Sequence, residues 1–194
     1  MARRTKAEAQ ATRTTILDAA ECLFEQRGVA RTSLQQIAAA AGVTRGAIYH
    51  HFSDKAAVFD AMLERVKLPM EQAASELEHC AGDDPLVRLR ALLVAHLRQL
   101  ATDARTQRVY EIAMHKVGDV DELDGLRLRH RVAVAEHIAT IARCLVRAGL
   151  PRRHAVGLHA LVVGLMRTWL LDREAFDLER RGSDAVDAML RGLH

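Results

Sequence analysis

The sequence predicts an all-α fold of about nine helices in two parts, a small N-terminal one and a larger C-terminal one. Three observations carry this. The 194-residue chain holds seven aromatics and three prolines against abundant Ala, Leu and Arg, side chains that lose little freedom on a helix. Apolar residues recur at helical spacing, and no alternating strand pattern or internal repeat competes. Glycines and capping residues punctuate the periodic stretches where helices begin and end.

From Thr12 to Arg27, Ile16, Ala20, Leu23 and Phe24 form one apolar stripe, and Gly28 ends the helix. In "RTSLQQIAAAAG", Ser33 caps and Gln36 follows three residues later, a capping-box spacing. Leu34, Ile37, Ala38 and Ala41 face inward on this second helix, which Gly42 closes. Thr44 caps a third helix, Arg45 to His51. Ser53 or Asp54 caps a fourth, running through Phe59, Met62, Leu63, Val66 and Met70, with Pro69 as a kink or stop. The second and third helices are joined by Gly42, Val43 and Thr44 alone. Two short helices on so tight a glycine-containing turn make a helix-turn-helix over about 33–52, within a first domain of 10–70.

The second domain, 71–194, opens on the linker Gly82-Asp83-Asp84-Pro85. Leu86, Leu89, Leu93, Leu97 and Leu100 define the next helix, and another covers roughly 106–117. A long helix follows the acidic turn "GDVDELDG", with Val134, Ile138, Ile141 and Leu145 inward and Gly149 and Pro151 at its end. Helices over 152–172 and 183–191 complete the chain.

Net charge is +3, from 28 basic and 25 acidic residues. The first 55 residues carry eight Lys or Arg against five Asp or Glu, so the whole excess lies there, as suits a part that meets a polyanion. Cys22, Cys80 and Cys144 are scattered without CxxC spacing and read as reduced thiols, neither a disulfide framework nor a zinc set. The basic N-terminus runs into helix without an apolar export segment, and His159 and Arg167 interrupt the most apolar window, 155–171. A cytoplasmic protein without a membrane span is the expectation, and no cofactor or metal is called for.

"GVTRGAIYHHF", residues 42–52, carries the functional signal. Successive helical residues advance by about 100°. Val43, Ile48 and Phe52 therefore hold the segment down, while Thr44, Arg45, Gly46, Tyr49 and His50 share an outward arc. Adjacent His50 and His51 point about 100° apart and cannot chelate one ion together. A helix offered by its N-terminus suits the major groove, where the dipole and free N–H groups meet phosphates and the first turns reach base edges. Arg45 suits bidentate contact with guanine, Tyr49 and Lys55 suit phosphates, and His50 suits either.

Residues 12–62, with their I-A-x-x-A-G-V, Y-x-H-F and following Lys elements, resemble the DNA-binding domain of the tetracycline-repressor (TetR) family. "MARRTKAEAQATR" and "GLMRTWLLDREAFDL" (164–178) look like its AcrR and TtgR efflux-repressor branch. The resemblance implies a homodimer, a palindromic double-stranded operator, DNA contacts at Ser33, Thr44, Arg45, Gly46, Tyr49, His50 and Lys55, and a helical effector-binding and dimerisation domain. It implies a repressor of multidrug-efflux genes released by a hydrophobic or cationic small molecule. Where that branch often carries Trp, this chain has His50.

Effector pockets of the family lie among the middle helices, which nominates Met70, His96, Tyr110, Met114, His137, Met166 and Trp169; plain core packing is the competing explanation. His130, His154 and His159 read as surface or interface residues. Val156, Ala160, Val163, Gly164, Leu171, Val186, Met189 and Leu190 are apolar for a chain end, which a dimer interface or intrachain packing explains. Two other classes compete with the efflux repressor: a TetR-type activator or regulator of metabolic genes, and a helical enzyme or carrier. The sequence has no HExxH, nucleophile elbow or glycine-rich phosphate loop to favour catalysis.

Overall fold

The computed structural model describes residues 6–66, 84–117 and 124–193, with side chains omitted for 124–130. Among the described residues the secondary structure is helical: α1 (Lys6–Arg27), α2 (Leu34–Ala40), α3 (Arg45–His51), α4 (55–66), α5 (Pro85–Thr102), α6 (Ala104–His115), α7 (Asp124–Arg147), α8 (His154–Leu171) and α9 (Leu178–Arg191). The chain divides into two compact units, one of residues 1–66 and 108–126, the other of 67–107 and 127–194. Met70, Cys80 and most of the two predicted linkers fall outside the described residues.

The first unit is built on α1. Ile16, Leu17, Ala20 and Phe24 meet Leu34, Ile37 and Ala38 of α2, Ile48 of α3, and Val58, Phe59 and Met62 of α4. Val109 and Ile112 of α6 join the same core. Phe24 and Phe59 lie with ring centroids 6.3 Å apart at 50°. Helix α1 starts at Lys6, six residues before the predicted Thr12, because its opening Lys, Glu, Gln and Ala residues favour helix without needing an apolar face. Thr12 and Thr15 hydroxyls donate back to the carbonyls of Glu8 and Ala11, which accommodates them inside the helix.

Among the described residues of this unit, one charged side chain is buried. Glu21 of α1, at 1% exposure, accepts from Arg65 of α4 at 2.7 Å. Arg65 also reaches Asp18 at 2.8 Å and the Thr14 carbonyl at 3.3 Å, while Arg108 of α6 pairs with Glu25 at 3.1 Å. A buried carboxylate is tolerated only when paired in this way.

In the second unit α5 packs along α9 and α8. Its core takes Leu89, Leu93, Leu97 and Leu100 from α5, Ile141 and Leu145 from α7, and Leu158, Val162 and Met166 from α8. Helix α9 begins at Leu178, five residues before the predicted 183. The Asp177 carboxylate caps it through the Arg180 N–H at 3.0 Å, and Gly182 is accommodated inside the helix because a side chain there would strike Leu97. Arg90 grips Asp187 with both ends of its guanidinium and donates to the Ser183 hydroxyl at 2.9 Å. That bond holds the Asp187 carboxyl below the usual carboxylate range. Asp103 opens α6, accepting from the Thr106 N–H at 2.7 Å.

Val186 and Leu190 are buried at 0% and 8% exposure, which suits the intrachain packing that the sequence left open beside a dimer interface. Met189 is half-buried, and a side chain on Gly157 would meet its methyl at 2.8 Å. The amphipathic face of α9 was visible in the sequence, but which body it packs on was not.

His159 is expected at the surface or an interface. Half-buried on α8, it stands edge-on to His137 of α7, with centroids 5.3 Å apart at 81°. His137 stacks at 6.0 Å and 25° on the buried His96 of α5. Burial first, then His137 and His159, push His96 down to about 3.

Two outcomes test these packings. Phe24→Ala should cost about 3–5 kcal/mol, read as a lower midpoint in denaturant unfolding. His96 is depressed below its ordinary 6.5, so its neutral form contributes fully above about pH 6.5 and its contribution is lost as pH falls toward 3. Wild type should lose stability over that range faster than His96→Leu, by up to about 1.4 kcal/mol per pH unit. Parallel profiles for the two proteins would contradict the assignment.

Candidate nucleic-acid interface

The turn between α2 and α3 is decided by one residue. Gly42 sits at φ +65°, a conformation that costs an L side chain about 1–2 kcal/mol. Its N–H bonds the Ala39 carbonyl at 3.2 Å, and the Val43 N–H bonds that of Ala38 at 3.0 Å. Together these make a Schellman closure, with Val43 packed against the core just beyond it. Two residues later Thr44 caps α3, its hydroxyl oxygen accepting from the Ala47 N–H at 3.2 Å. The chain thus reverses within three residues and delivers α3 in a set orientation.

Helix α3 divides as its sequence predicted. Ile48 is fully buried and Phe52, at the C-cap, is 4% exposed. Thr44, Arg45, Gly46, Tyr49 and His50 are exposed. A Cβ on Gly46 would find only the Thr44 hydroxyl, at 4.0 Å, so the surface there is open to close approach. The Arg45 guanidinium lies 5.7 Å from the centre of the Tyr49 ring, a cation–π contact that groups the two exposed side chains. His50 meets His51 edge-on at 5.4 Å, and His51 leans on Phe52 at 6.4 Å, which makes the half-buried His51 the bridge between outward and inward faces.

Two of the nominated residues have local duties. Ser33 caps α2 in a complete capping box: its oxygen accepts from the Gln36 N–H, and its hydroxyl and N–H both donate to the Gln36 side chain. Lys55, half-buried, donates from Nζ to the Ala30 carbonyl at 3.2 Å and so ties α4 to the loop before α2. Arg13 was not nominated. Its guanidinium lies 5.2 Å from the centre of the Phe52 ring and pins the end of α3 to α1. Spacing along the chain offers no signal for a contact 39 residues apart in sequence.

The nominated effector residues fall in both units. His96 and His137 come together, joined by His159. Met166 and Trp169 are buried in the same unit, with the Arg173 guanidinium 5.7 Å over the indole. Tyr110 instead packs against the core of the first unit, where burial pushes its hydroxyl up to about 12. Half-buried Met114 belongs to that unit as well, and Met70 lies outside the described residues.

Comparison with known proteins agrees with this architecture. Residues 16–62 match the bacterial regulatory proteins of the tetR family, and 84–194 match the MAATS-type transcriptional repressor C-terminal region. TtgR, an HTH-type transcriptional regulator of Pseudomonas putida, is 42% identical over 92% of this chain and 89% of its own. The crystal structure of NalD, the secondary repressor of the MexAB-OprM multidrug efflux pump in Pseudomonas aeruginosa, is 38% identical and covers 97% of this chain and 98% of its own, with a TM-score of 0.87. A complex of SmeT with triclosan is 35% identical with a TM-score of 0.85, covering 94% and 91%; SmeT is the repressor of the Stenotrophomonas maltophilia efflux pump SmeDEF. With a helix-turn-helix built on Gly42 and Thr44 and both regions matched, this chain belongs to the TetR family and is a DNA-binding transcriptional regulator.

Proposed function

We propose that this chain is a homodimeric repressor of multidrug-efflux genes, released from a palindromic operator by a hydrophobic small-molecule effector. The observation that carries the reading is α3: a capped N-terminus with Arg45, Gly46, Tyr49 and His50 exposed and Ile48 and Phe52 buried beneath. In this reading Arg45 and His50 reach base edges, Thr44, Tyr49 and Lys55 contact phosphates, and Ser33 sits at the rim. The division into a DNA-binding domain over 10–70 and an effector and dimerisation domain over 71–194 belongs to the same proposal. Similarity to TtgR and to the named efflux repressors NalD and SmeT supports the choice of target genes.

The dimer reading rests on α8. Its inner face, Ala155, Leu158, Val162, Met166 and Trp169, is buried. Its outer face presents Val156 at 59% and Leu171 at 70% exposure, with Ala160 and Gly164 between them and Val163 at the edge. Small residues flanked by exposed large ones let a second copy's helix approach closely. A two-fold partner would set two α3 helices roughly 34–36 Å apart, one turn of DNA. Effector binding favours a different separation, and DNA must then weaken effector binding by the same factor, typically worth about 1–3 kcal/mol.

A salt-dependent gel shift on the DNA upstream of the gene tests the reading. Arg45→Ala should lose about 1–3 kcal/mol on the operator and relax sequence preference. Lys55→Ala should weaken all DNA alike and, because Lys55 also holds the Ala30 carbonyl, lower the unfolding midpoint. Indistinguishable behaviour of the two variants sinks both assignments. Val156→Arg with Leu171→Arg should give a folded monomer in sedimentation that no longer shifts the operator; a persistent dimer would move the interface elsewhere.

A further inference from the structure

The outer face of α8 carries one charge among apolar and small side chains. Arg167 is exposed between Gly164 and Leu171, with Val156 and Ala160 earlier on the same face. At about 100° per residue, these side chains lie away from buried Leu158, Val162 and Met166. Among the described residues Arg167 makes no ion pair and no side-chain hydrogen bond with its own chain. A guanidinium taken out of water in such a contact needs a carboxylate, because an unpaired charge is expensive to bury.

Helix α8 holds no acidic residue, so the carboxylate must come from elsewhere. Most acids of α9 and of the turn before it are engaged. Asp172 accepts from the Glu174 N–H, Asp177 caps α9 through the Arg180 N–H, Glu179 pairs with Arg98 and Asp187 with Arg90. Glu174 lies in the turn, beyond the end of α8. Asp184 remains. It is exposed on α9 and has no ion pair or side-chain hydrogen bond among the described residues, although Arg180 and Arg181 stand one turn before it. Gly182, Val186 and Leu190 face inward, and Asp184 falls about 160° from Val186, on the solvent side beside Ala188.

The register of the two helices decides how these charges can meet. Helices α8 and α9 are joined by residues 172–177 alone and run antiparallel. A Cβ on Gly157 would stand 2.8 Å from the Met189 methyl, which sets those two residues level. At about 1.5 Å per residue, Asp184 is then about 3 Å to one side of the level of Gly164, and Arg167 about 4.5 Å to the other. Within one chain they are offset. A two-fold axis across α8 at Gly164 removes the offset, bringing Asp184 of a second copy within about 2 Å of the level of Arg167. The same axis sets Val156 against Leu171 of the copy and Ala160 beside Arg167, where a small side chain leaves room for the guanidinium. At Gly164 itself a Cβ would meet nothing within 4 Å, so the surface there is open to close approach.

We propose that Arg167 pairs with Asp184 of a second copy of this chain, in two reciprocal ion pairs about an axis at Gly164, and that this pairing makes the dimer selective for its own kind. It rests on the α8 dimer reading and goes past it by naming the charges that meet. A different chain with the same apolar face but no acid at this level would bury Arg167 without a counter-charge. The pair therefore rejects near relatives as well as accepting a copy.

Reversing each charge in the full chain tests the pairing. Arg167→Asp sets carboxylate against carboxylate at both pairs, and Asp184→Arg sets guanidinium against guanidinium. Each should weaken the dimer by about tenfold or more in sedimentation equilibrium, because like charges then face each other. Both positions are exposed, so each variant should keep the wild-type circular dichroism. Mixed in equal amounts, the two variants should form a mixed dimer of near wild-type strength, since opposite charges face each other again. The double variant should dimerise with itself and not with wild type. Single variants that dimerise as tightly as wild type overturn the proposal, as does a mixture no stronger than its components. Val156→Arg with Leu171→Arg separates the two levels. If that variant is a monomer while the reversals change nothing, the ion pair fails and the α8 interface stands; if it remains a dimer, both fail.

Discussion

A helix of seven residues is not stable alone, and the exposed arc of the helix-turn-helix is built on one. Helix nucleation costs more than so few hydrogen bonds return, so α3 exists because Ile48 and Phe52 are buried against α1 and α4. Burial of those two side chains fixes which way the remaining residues point. The outward arc from Thr44 to His50 is therefore a consequence of core packing, and the same Phe52 serves Arg13 as a cation–π partner. Gly42 supplies the other half of the constraint, since the closure at φ +65° sets where α3 begins.

The charges around α1 obey a related logic. Glu21 is buried where an apolar residue would fit the helical stripe, and its pairing with Arg65, which also reaches Asp18, makes the burial tolerable. Such a pair adds little to stability against a hydrophobic alternative, whereas removing Arg65 alone would leave a buried charge unpaired by it.

The second unit shows how one helix serves two surfaces. Helix α8 is long and apolar enough to cross a membrane by composition, yet its inner face is core and its outer face carries Arg167 among exposed small and apolar residues. Helix α9 buries Val186 and Leu190 within the chain and sets Gly182 against Leu97. Polar groups enter the interior at the histidine cluster, where imidazoles from α5, α7 and α8 meet.

Local chemistry made much of this legible. Ser33 with Gln36, Gly42, Thr44 and the spacing of Ile48 to Phe52 are contiguous signals, so the helix-turn-helix and its exposed arc could be read from the order of residues alone. Helix ends were less legible: Lys6 and Leu178 begin their helices through propensity and capping without an apolar stripe to mark them. The family could be read from the same contiguous motifs. What only the tertiary structure decided are meetings between residues far apart in the chain: Arg13 on Phe52, Arg65 on Glu21, Lys55 on the Ala30 carbonyl, and His159 beside His137. Periodicity tells which face of a helix is apolar, but it cannot tell whether that face meets its own chain or another, because both bury the same side chains for the same free energy.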